Sequence, residues 1–519
     1  MLPPFRNEPY TDFTRPDEVR AFCDALAKVK AEADTIYPLV INGQGIDSSD
    51  TYASINPARP QETIGRFANA TPEQAEQAVE AAAAAFKTWQ YTPAEDRSRY
   101  LLKAAAEMRR RKHEFSATMV LEVGKSWSEA DGDTSEAIDF LEYYARQILR
   151  LADSSHLLEP FPAEQLDLKY IPLGVSVIIP PWNFPCAIPT GMMSAALVAG
   201  NTVVIKPARQ SPLIAWKMCQ LFWASGIPDG VLNFLTGPGT TIGKTLVAHP
   251  QTRMIGFTGS RAVGIEINEI AAKVQPGQKW LKRTMLEMGG KDGIVVDETA
   301  DLDLAAIGIV KSAFGYQGQK CSACSRAIIV DAVYDEVMEK VVALTRELSI
   351  GATDDSHEVN LGPVIDDLAM KSIMNYIAIG IKEGKLLTGG HAVNKPDGGY
   401  FIEPTIIGDV DPHARIAQEE IFGPVLAVIR AKDFDHALQI ANDTDYGLTG
   451  GVYSQSRARL EQARREFHVG NLYLNRKCTG AMVGVNPFGG FNMSGTDSKA
   501  GGPDYLLLFT QAKSIAERL

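Results

Sequence analysis

The chain has 519 residues, a formal net charge of -12, 45% hydrophobic residues and 22% charged ones. That length exceeds what one hydrophobic core organises, so two or three domains are expected. The composition is that of a soluble globular enzyme, and the acidic balance disfavours nucleic acid or an anionic membrane as partner.

From the start, Met1 to Asp12 has no apolar run behind basic residues, so no secretory signal is expected. Pro16 to Ala33 has helical spacing, with Val19, Phe22, Cys23 and Leu26 on one face. Tyr37 to Gly43 reads as a short strand and turn. Thr71-Pro72-Glu73-Gln74 supplies a cap hydroxyl, a proline at the first helical position and a glutamine three residues after the cap. Ala75, Val79, Ala82, Ala83 and Phe86 then mark an apolar face. Thr92-Pro93-Ala94-Glu95 repeats the device ahead of a helix through Arg111, and Gly124 stops the next helix. The basic run Arg109 to His113 reads as a solvated helix face.

From Tyr170 strands and helices alternate. Gly174 to Ile179, Thr202 to Ile205, Gly230 to Leu235 and Arg253 to Phe257 read as strands, and Ser211-Pro212 caps a helix ending near Gly226. Such alternation implies a parallel, doubly wound sheet, whose ligands sit beyond the carboxyl ends of its strands. Those ends carry Asn183, Lys206, Gly237 and Thr258-Gly259-Ser260, which are predicted to converge on one ligand. The most apolar region, Ala187 to Ile205, is broken by Pro189, Gly191, Gly200 and Asn201 and reads as buried core. A second α/β segment runs from Gly290 to about Asp497.

Gly237-Pro238-Gly239-Thr240-Thr241-Ile242-Gly243-Lys244-Thr245 nearly spells a phosphate-binding loop. Its glycines are one residue too far apart, and Pro238 removes a backbone donor, so a kinase or ATPase is disfavoured. The six cysteines form no disulfide framework, which points to a reducing cytosol. Cys321-x-x-Cys324 lacks the second pair of a zinc site, so no metal is expected.

Cys321 is the strongest chemical signal. With Glu287 in Leu286-Glu287-Met288-Gly289-Gly290-Lys291 and Asn183 in Pro181-Trp182-Asn183-Phe184-Pro185, it supplies a nucleophile, a base and an amide donor. Acyl chemistry at a carbonyl carbon needs these three roles. A thiol of pKa about 8.5 is only slightly ionised at neutral pH, and Lys320 or backbone donors are candidates to lower it.

These motifs, with Lys206-Pro207-Ala208, Phe257-Thr258-Gly259-Ser260 and Glu420-Ile421-Phe422-Gly423-Pro424, occur in the order of the aldehyde dehydrogenase superfamily, and the chain resembles it over roughly 40–510. It most resembles the branch that oxidises L-glutamate γ-semialdehyde, through the cysteine run to Arg326, Cys478-Thr479-Gly480-Ala481 and Phe488 to Asp497. The resemblance implies a Rossmann-like doubly wound cofactor domain, an α/β catalytic domain and a small β oligomerisation flap. It divides the chain into a helical arm at 1–37, a dinucleotide domain from 38–150 and 173–287, a catalytic domain at 288–497, and an oligomerisation segment from 151–172 and 498–519.

It also implies oxidation of the semialdehyde through a thiohemiacetal and thioester on Cys321, in proline degradation. Asn183 and the Cys321 N–H hold the oxyanion, and Glu287 activates water. NAD is the implied cofactor. Lys206, Ser260 and Glu420 contact it, and Trp182, Phe257, Gly259, Val263 and Phe422 line its cleft. Arg209 stands where many NAD-preferring members carry Glu, which suggests that NADP is tolerated. Gly480 and Ala481 hold the substrate carboxylate, Ser322 adds a hydroxyl, Phe184 and Phe488 sandwich the stem, and Glu136 approaches the amine. Tyr505 to Phe509 offers an apolar tail run for pairing with another subunit. A cytoplasmic homo-oligomer is implied, a dimer or ring of dimers, with possible coupling to a proline dehydrogenase. A succinate semialdehyde dehydrogenase, a CoA-acylating enzyme and a non-catalytic protein on the same fold are the alternatives.

Overall fold

The computed structural model describes residues 2–152 and 157–519, so positions 153–156 of the expected oligomerisation segment lie outside the described residues. Two seven-stranded sheets organise the chain. The first runs in the order Arg283–Glu287, Thr252–Thr258, Val175–Ile179, Thr202–Ile205, Leu232–Phe234, Leu39–Ile41 and Gln44–Ile46. Its first five strands are parallel, and the last two join antiparallel. Asn42 and Gly43, at φ 52° and 73°, form the tight turn between that final pair.

Alternate residues of these strands are buried on opposite faces. Val175, Val177 and Val204 pack with Ala75, Val79 and Ala82 of the helix Pro72–Trp89. Ile178, Val203 and Ile205 pack with Met192 and Met193 of the helix Ala187–Ala199. Burial on both faces explains the continuous β-branched runs. Chain order reverses between Val175–Ile179 and Thr252–Thr258, so the carboxyl ends of these two strands frame a crevice.

The second sheet runs Lys385–Thr388, Thr405–Gly408, Val425–Ala431, Cys324–Val330, Asp292–Val296, Thr449–Tyr453 and Asn471–Leu474, parallel except for the first pair. A separate antiparallel ribbon pairs Thr510–Arg518 with Glu164–Pro172. Among the described residues no helix is long and apolar enough to cross a membrane.

Several local expectations need correction. The first helix, Pro16–Lys30, buries Phe22, Leu26 and Val29, while Cys23 is exposed. The capping box at Thr71 and Gln74 forms, but Thr92 does not cap: the helix Ala94–Arg110 starts after Pro93 without a side-chain cap. Ser211 likewise makes no cap bond. The basic run is ion-paired rather than simply solvated, with Arg109 on Glu8, Arg111 on Glu114 and Lys112 on Asp131. Tyr505–Phe509 is a buried 3-10 turn, its Tyr505 ring stacked on Tyr144 at 5.4 Å, and the tail strand is the nine residues that follow.

Candidate active site

The loop before Cys321 is held in an uncommon backbone conformation. Tyr316, Gln317 and Gly318 have φ of 51°, 56° and 67°, three left-handed residues in succession. Non-glycine residues adopt this region only when their surroundings compel it. Here the Tyr316 hydroxyl donates to the Val123 carbonyl at 3.0 Å, the Gln317 amide donates to the Pro363 carbonyl at 2.8 Å, and the Ile365 N–H donates to the Gln319 side chain at 2.9 Å. Gly318 is required by space: a Cβ there would lie 2.2 Å from the Gly423 carbonyl oxygen. The result presents Cys321, half-buried, just ahead of the strand Cys324–Val330.

Cys321 borders two cavities. The larger, about 540 Å3, lies beyond the carboxyl ends of the first sheet. Trp182, Asn183, Lys206, Phe257, Gly259, Ser260, Val263, Glu420 and Phe422 all line it. Two expectations fail. Gly239 takes the place of Gly237 on its wall, and Arg209 is absent from the lining. The Arg209 guanidinium instead lies 4.5 Å over the Tyr52 ring, and Gln210 reaches the cleft. The case for NADP built on Arg209 therefore loses its geometric support.

The smaller cavity, about 120 Å3, gathers Glu136, Phe184, Ser322, Gly480, Ala481 and Phe488 with Glu287 and Cys321. These residues come from five distant stretches of chain. Thr258, expected at the ligand end of its strand, and Met288, to which sequence reasoning gave no role, border both cavities beside Cys321.

Asn183 is buried and donates its amide to the Gln319 carbonyl at 3.1 Å, which leaves one N–H to spare. The Cys321 N–H has no acceptor among the described residues. Glu287 ends the strand Arg283–Glu287 and accepts a hydrogen bond from the Ser498 hydroxyl, while its Oε2 has no partner among the described residues. Burial pushes this carboxyl up to about 8, against the lowering effect of Ser498. Nothing in the sequence pointed to Ser498, because the contact spans 211 positions.

Burial also pushes the Cys321 thiol well up, helped by the negative fields of Asp292, Glu420 and Glu287. Lys320 does not counter this, since its ammonium is paired with Glu129 at 2.6 Å. That expectation is corrected: an adjacent lysine in sequence is not an unpaired charge in space. Lys206 is buried, its one hydrogen-bond partner among the described residues is the Pro207 carbonyl at 2.9 Å, and burial lowers it to about 8. Glu420 accepts from the Gly290 N–H at 3.1 Å, and burial raises it to about 7.

A profile of the aldehyde dehydrogenase family matches residues 46–515, and the chain belongs to that family. It is 59% identical over 517 residues to the 1-pyrroline-5-carboxylate dehydrogenase of Geobacillus sp. (strain WCH70), with 100% of both chains covered. The crystal structure of 1-pyrroline-5-carboxylate dehydrogenase from Thermus with bound NAD is similar at TM-score 0.98 and 53% identity, again over 100% of both chains. Proline utilization A (PutA) from Bdellovibrio bacteriovorus is similar at TM-score 0.97 and 46% identity, covering 99% of this chain and 53% of that one.

Proposed function

We propose that this chain oxidises L-glutamate γ-semialdehyde, the open form of 1-pyrroline-5-carboxylate, to L-glutamate with NAD, as a step of proline degradation. One observation carries the reading: a single thiol, Cys321, stands where a dinucleotide-sized cleft meets a cavity sized for a small aldehyde. Full-length similarity to enzymes bearing that name supports the substrate.

The cleft fits a dinucleotide. Trp182 and Phe422 meet edge to face at 5.5 Å on its wall, an apolar surface for a flat ring. Buried Lys206 and half-buried Glu420 are each under-partnered among the described residues and can take ribose hydroxyls. Ser260 caps the helix Arg261–Ala272, whose N-terminal N–H groups suit a pyrophosphate. The close approach is available because residue 259 is glycine: a Cβ there would lie 2.6 Å from the Phe257 ring. When bound, the oxidised nicotinamide brings a positive charge to the cleft and accepts the hydride of the aldehyde.

The chain's own residues do the rest. With a cationic nicotinamide alongside, the Cys321 thiol would give its proton to solvent water; Sγ then adds to the aldehyde carbon, and charge develops on the carbonyl oxygen. The spare Asn183 N–H and the Cys321 N–H hold that oxygen. After oxidation the substrate is a thioester on Cys321. Glu287 takes a proton from water through its unpartnered Oε2, and the resulting hydroxide releases L-glutamate and the thiol. Phe184 and Phe488 clasp the aliphatic stem, Ser322 adds a hydroxyl, and Gly480 and Ala481 receive the carboxylate end. The presence of a base poised near neutrality favours hydrolysis over transfer to CoA.

We further propose that the arm, the two sheets and the ribbon correspond to the four divisions expected from sequence. The ribbon's outer edge, unpaired among the described residues, supports assembly into a dimer or ring of dimers. The match to about half of proline utilization A supports coupling to a proline dehydrogenase. The deciding assay follows NADH from purified protein, 1-pyrroline-5-carboxylate and NAD without CoA, with succinate semialdehyde in parallel. Turnover that requires CoA, or that favours succinate semialdehyde, would overturn the reading.

A further inference from the structure

A third cavity, about 320 Å3, adjoins the aldehyde pocket and shares Glu136, Phe184, Ser322, Gly480 and Ala481 with it. Its wall is rich in charge, and most of that charge is matched. Asp131 pairs with Lys112 at 3.0 Å, Asp133 with Lys125 at 3.0 Å, and Glu129 with Lys320 at 2.6 Å. Asp139 accepts from the Asn7 amide at 2.8 Å and the Glu8 N–H at 2.6 Å. Two charged side chains on the wall remain without an ion-pair or hydrogen-bond partner among the described residues: Glu136 and Lys477. Lys477 is a cation, whereas burial, with Asp133 and Asp139 nearby, raises the Glu136 carboxyl to about 8, so a cationic group brought against it draws out its anionic form. A ligand that matches both carries one anion and one cation; Lys477 is solvent-exposed, so water serves its ammonium until such a ligand binds.

Lys477 stands directly beside the loop expected to receive a carboxylate. A Cβ on Gly480 would lie 3.4 Å from its Nζ. Arg476, the neighbouring cation, is already committed: its guanidinium donates to the Thr479 and Gly480 carbonyls at 2.9 and 3.0 Å. With their carbonyl side occupied in this way, the Gly480 and Ala481 N–H groups donate to no acceptor among the described residues. One ammonium and two free N–H donors thus cluster on one short turn, the donor set a carboxylate asks for.

We propose that Lys477 is a binding and specificity-determining residue. Its ammonium, together with the Gly480 and Ala481 N–H groups, holds the α-carboxylate of the substrate, while Glu136 faces the α-ammonium. The pair selects aldehydes that end in an α-amino acid over simple aliphatic aldehydes that carry neither group. This inference rests on the semialdehyde reading above.

The test compares kcat/KM for glutamate γ-semialdehyde and for butanal in the wild type, Lys477→Met and Lys477→Arg. Losing a charge-assisted contact lowers the semialdehyde-to-butanal ratio by about 10–100-fold in the methionine variant, mostly through KM, and arginine restores part of it. A measurement on the wild type alone gives a second reading. Inhibition by L-isoglutamine, which replaces the α-carboxylate by an amide, is weaker than inhibition by L-glutamate by about 10-fold or more. The inference is overturned if the ratio in Lys477→Met stays within about twofold of wild type, if both substrates lose turnover in equal proportion, or if the two inhibitors bind alike. A wild type that oxidises butanal but not the semialdehyde would remove the functional reading itself, and this inference with it.

Discussion

Glu287→Gln separates the two halves of the reaction. Glutamine keeps the shape and can still accept the Ser498 hydroxyl, so the loop Pro487 to Ser498 stays anchored, but the base is gone. A carboxyl pushed up to about 8 is ionised to roughly a tenth at pH 7, half at pH 8 and nine tenths at pH 9. Wild-type kcat therefore rises with pH through about 8 when hydrolysis limits the rate. In Glu287→Gln that rise disappears, and steady-state turnover falls by about 10²–10⁴-fold, the usual worth of a positioned base. Thiol addition and oxidation do not need this carboxylate, so stopped-flow absorbance shows a burst of about one NADH per subunit before the stall. A variant that sustains near-wild-type turnover, a variant with no burst, or a wild-type profile flat from about pH 7 to 9 while hydrolysis limits the rate would refute the assignment.

Asn183→Ala removes one oxyanion donor and lowers kcat by about 10²–10³-fold, roughly 3–4 kcal/mol of barrier, with NAD binding retained in a fluorescence titration. Gly318→Ala places a methyl 2.2 Å from the Gly423 carbonyl at a left-handed backbone position. It destabilises the fold by at least about 2 kcal/mol, read as a lower midpoint in urea. In the ligand-free protein the Cys321 thiol is protonated at neutral pH, because burial and three nearby carboxylates raise it. Iodoacetamide labels it slowly at pH 7, and the rate climbs only as pH approaches and passes the alkaline range, while NAD accelerates labelling.

Much of this site was legible because its residue types are locally constrained. Cys321, Glu287 and Asn183 each sit in short motifs where glycine or proline fixes the backbone, so the sequence marks them. The parallel strands were legible too, since Val175–Ile179 and Thr202–Ile205 are buried on both faces and read as unbroken apolar runs. What sequence could not supply was pairing. Lys320 looks like an activator beside Cys321 until Glu129, 191 positions away, takes its charge. Arg209 looks like a phosphate ligand until Tyr52 draws it off the cleft. Tyr505–Phe509 has strand-like residues, yet stacking on Tyr144 and burial make it a turn. Each failure concerns a side chain whose partner is remote in sequence.

The acyl-enzyme can be observed directly. Glu287→Gln mixed with NAD and glutamate γ-semialdehyde, quenched in acid and digested, should yield the peptide bearing Cys321 heavier by one glutamyl group. The same peptide from Cys321→Ala should be unchanged. An unmodified Cys321 peptide after a completed NADH burst, or a glutamyl group on any other residue, would contradict the mechanism.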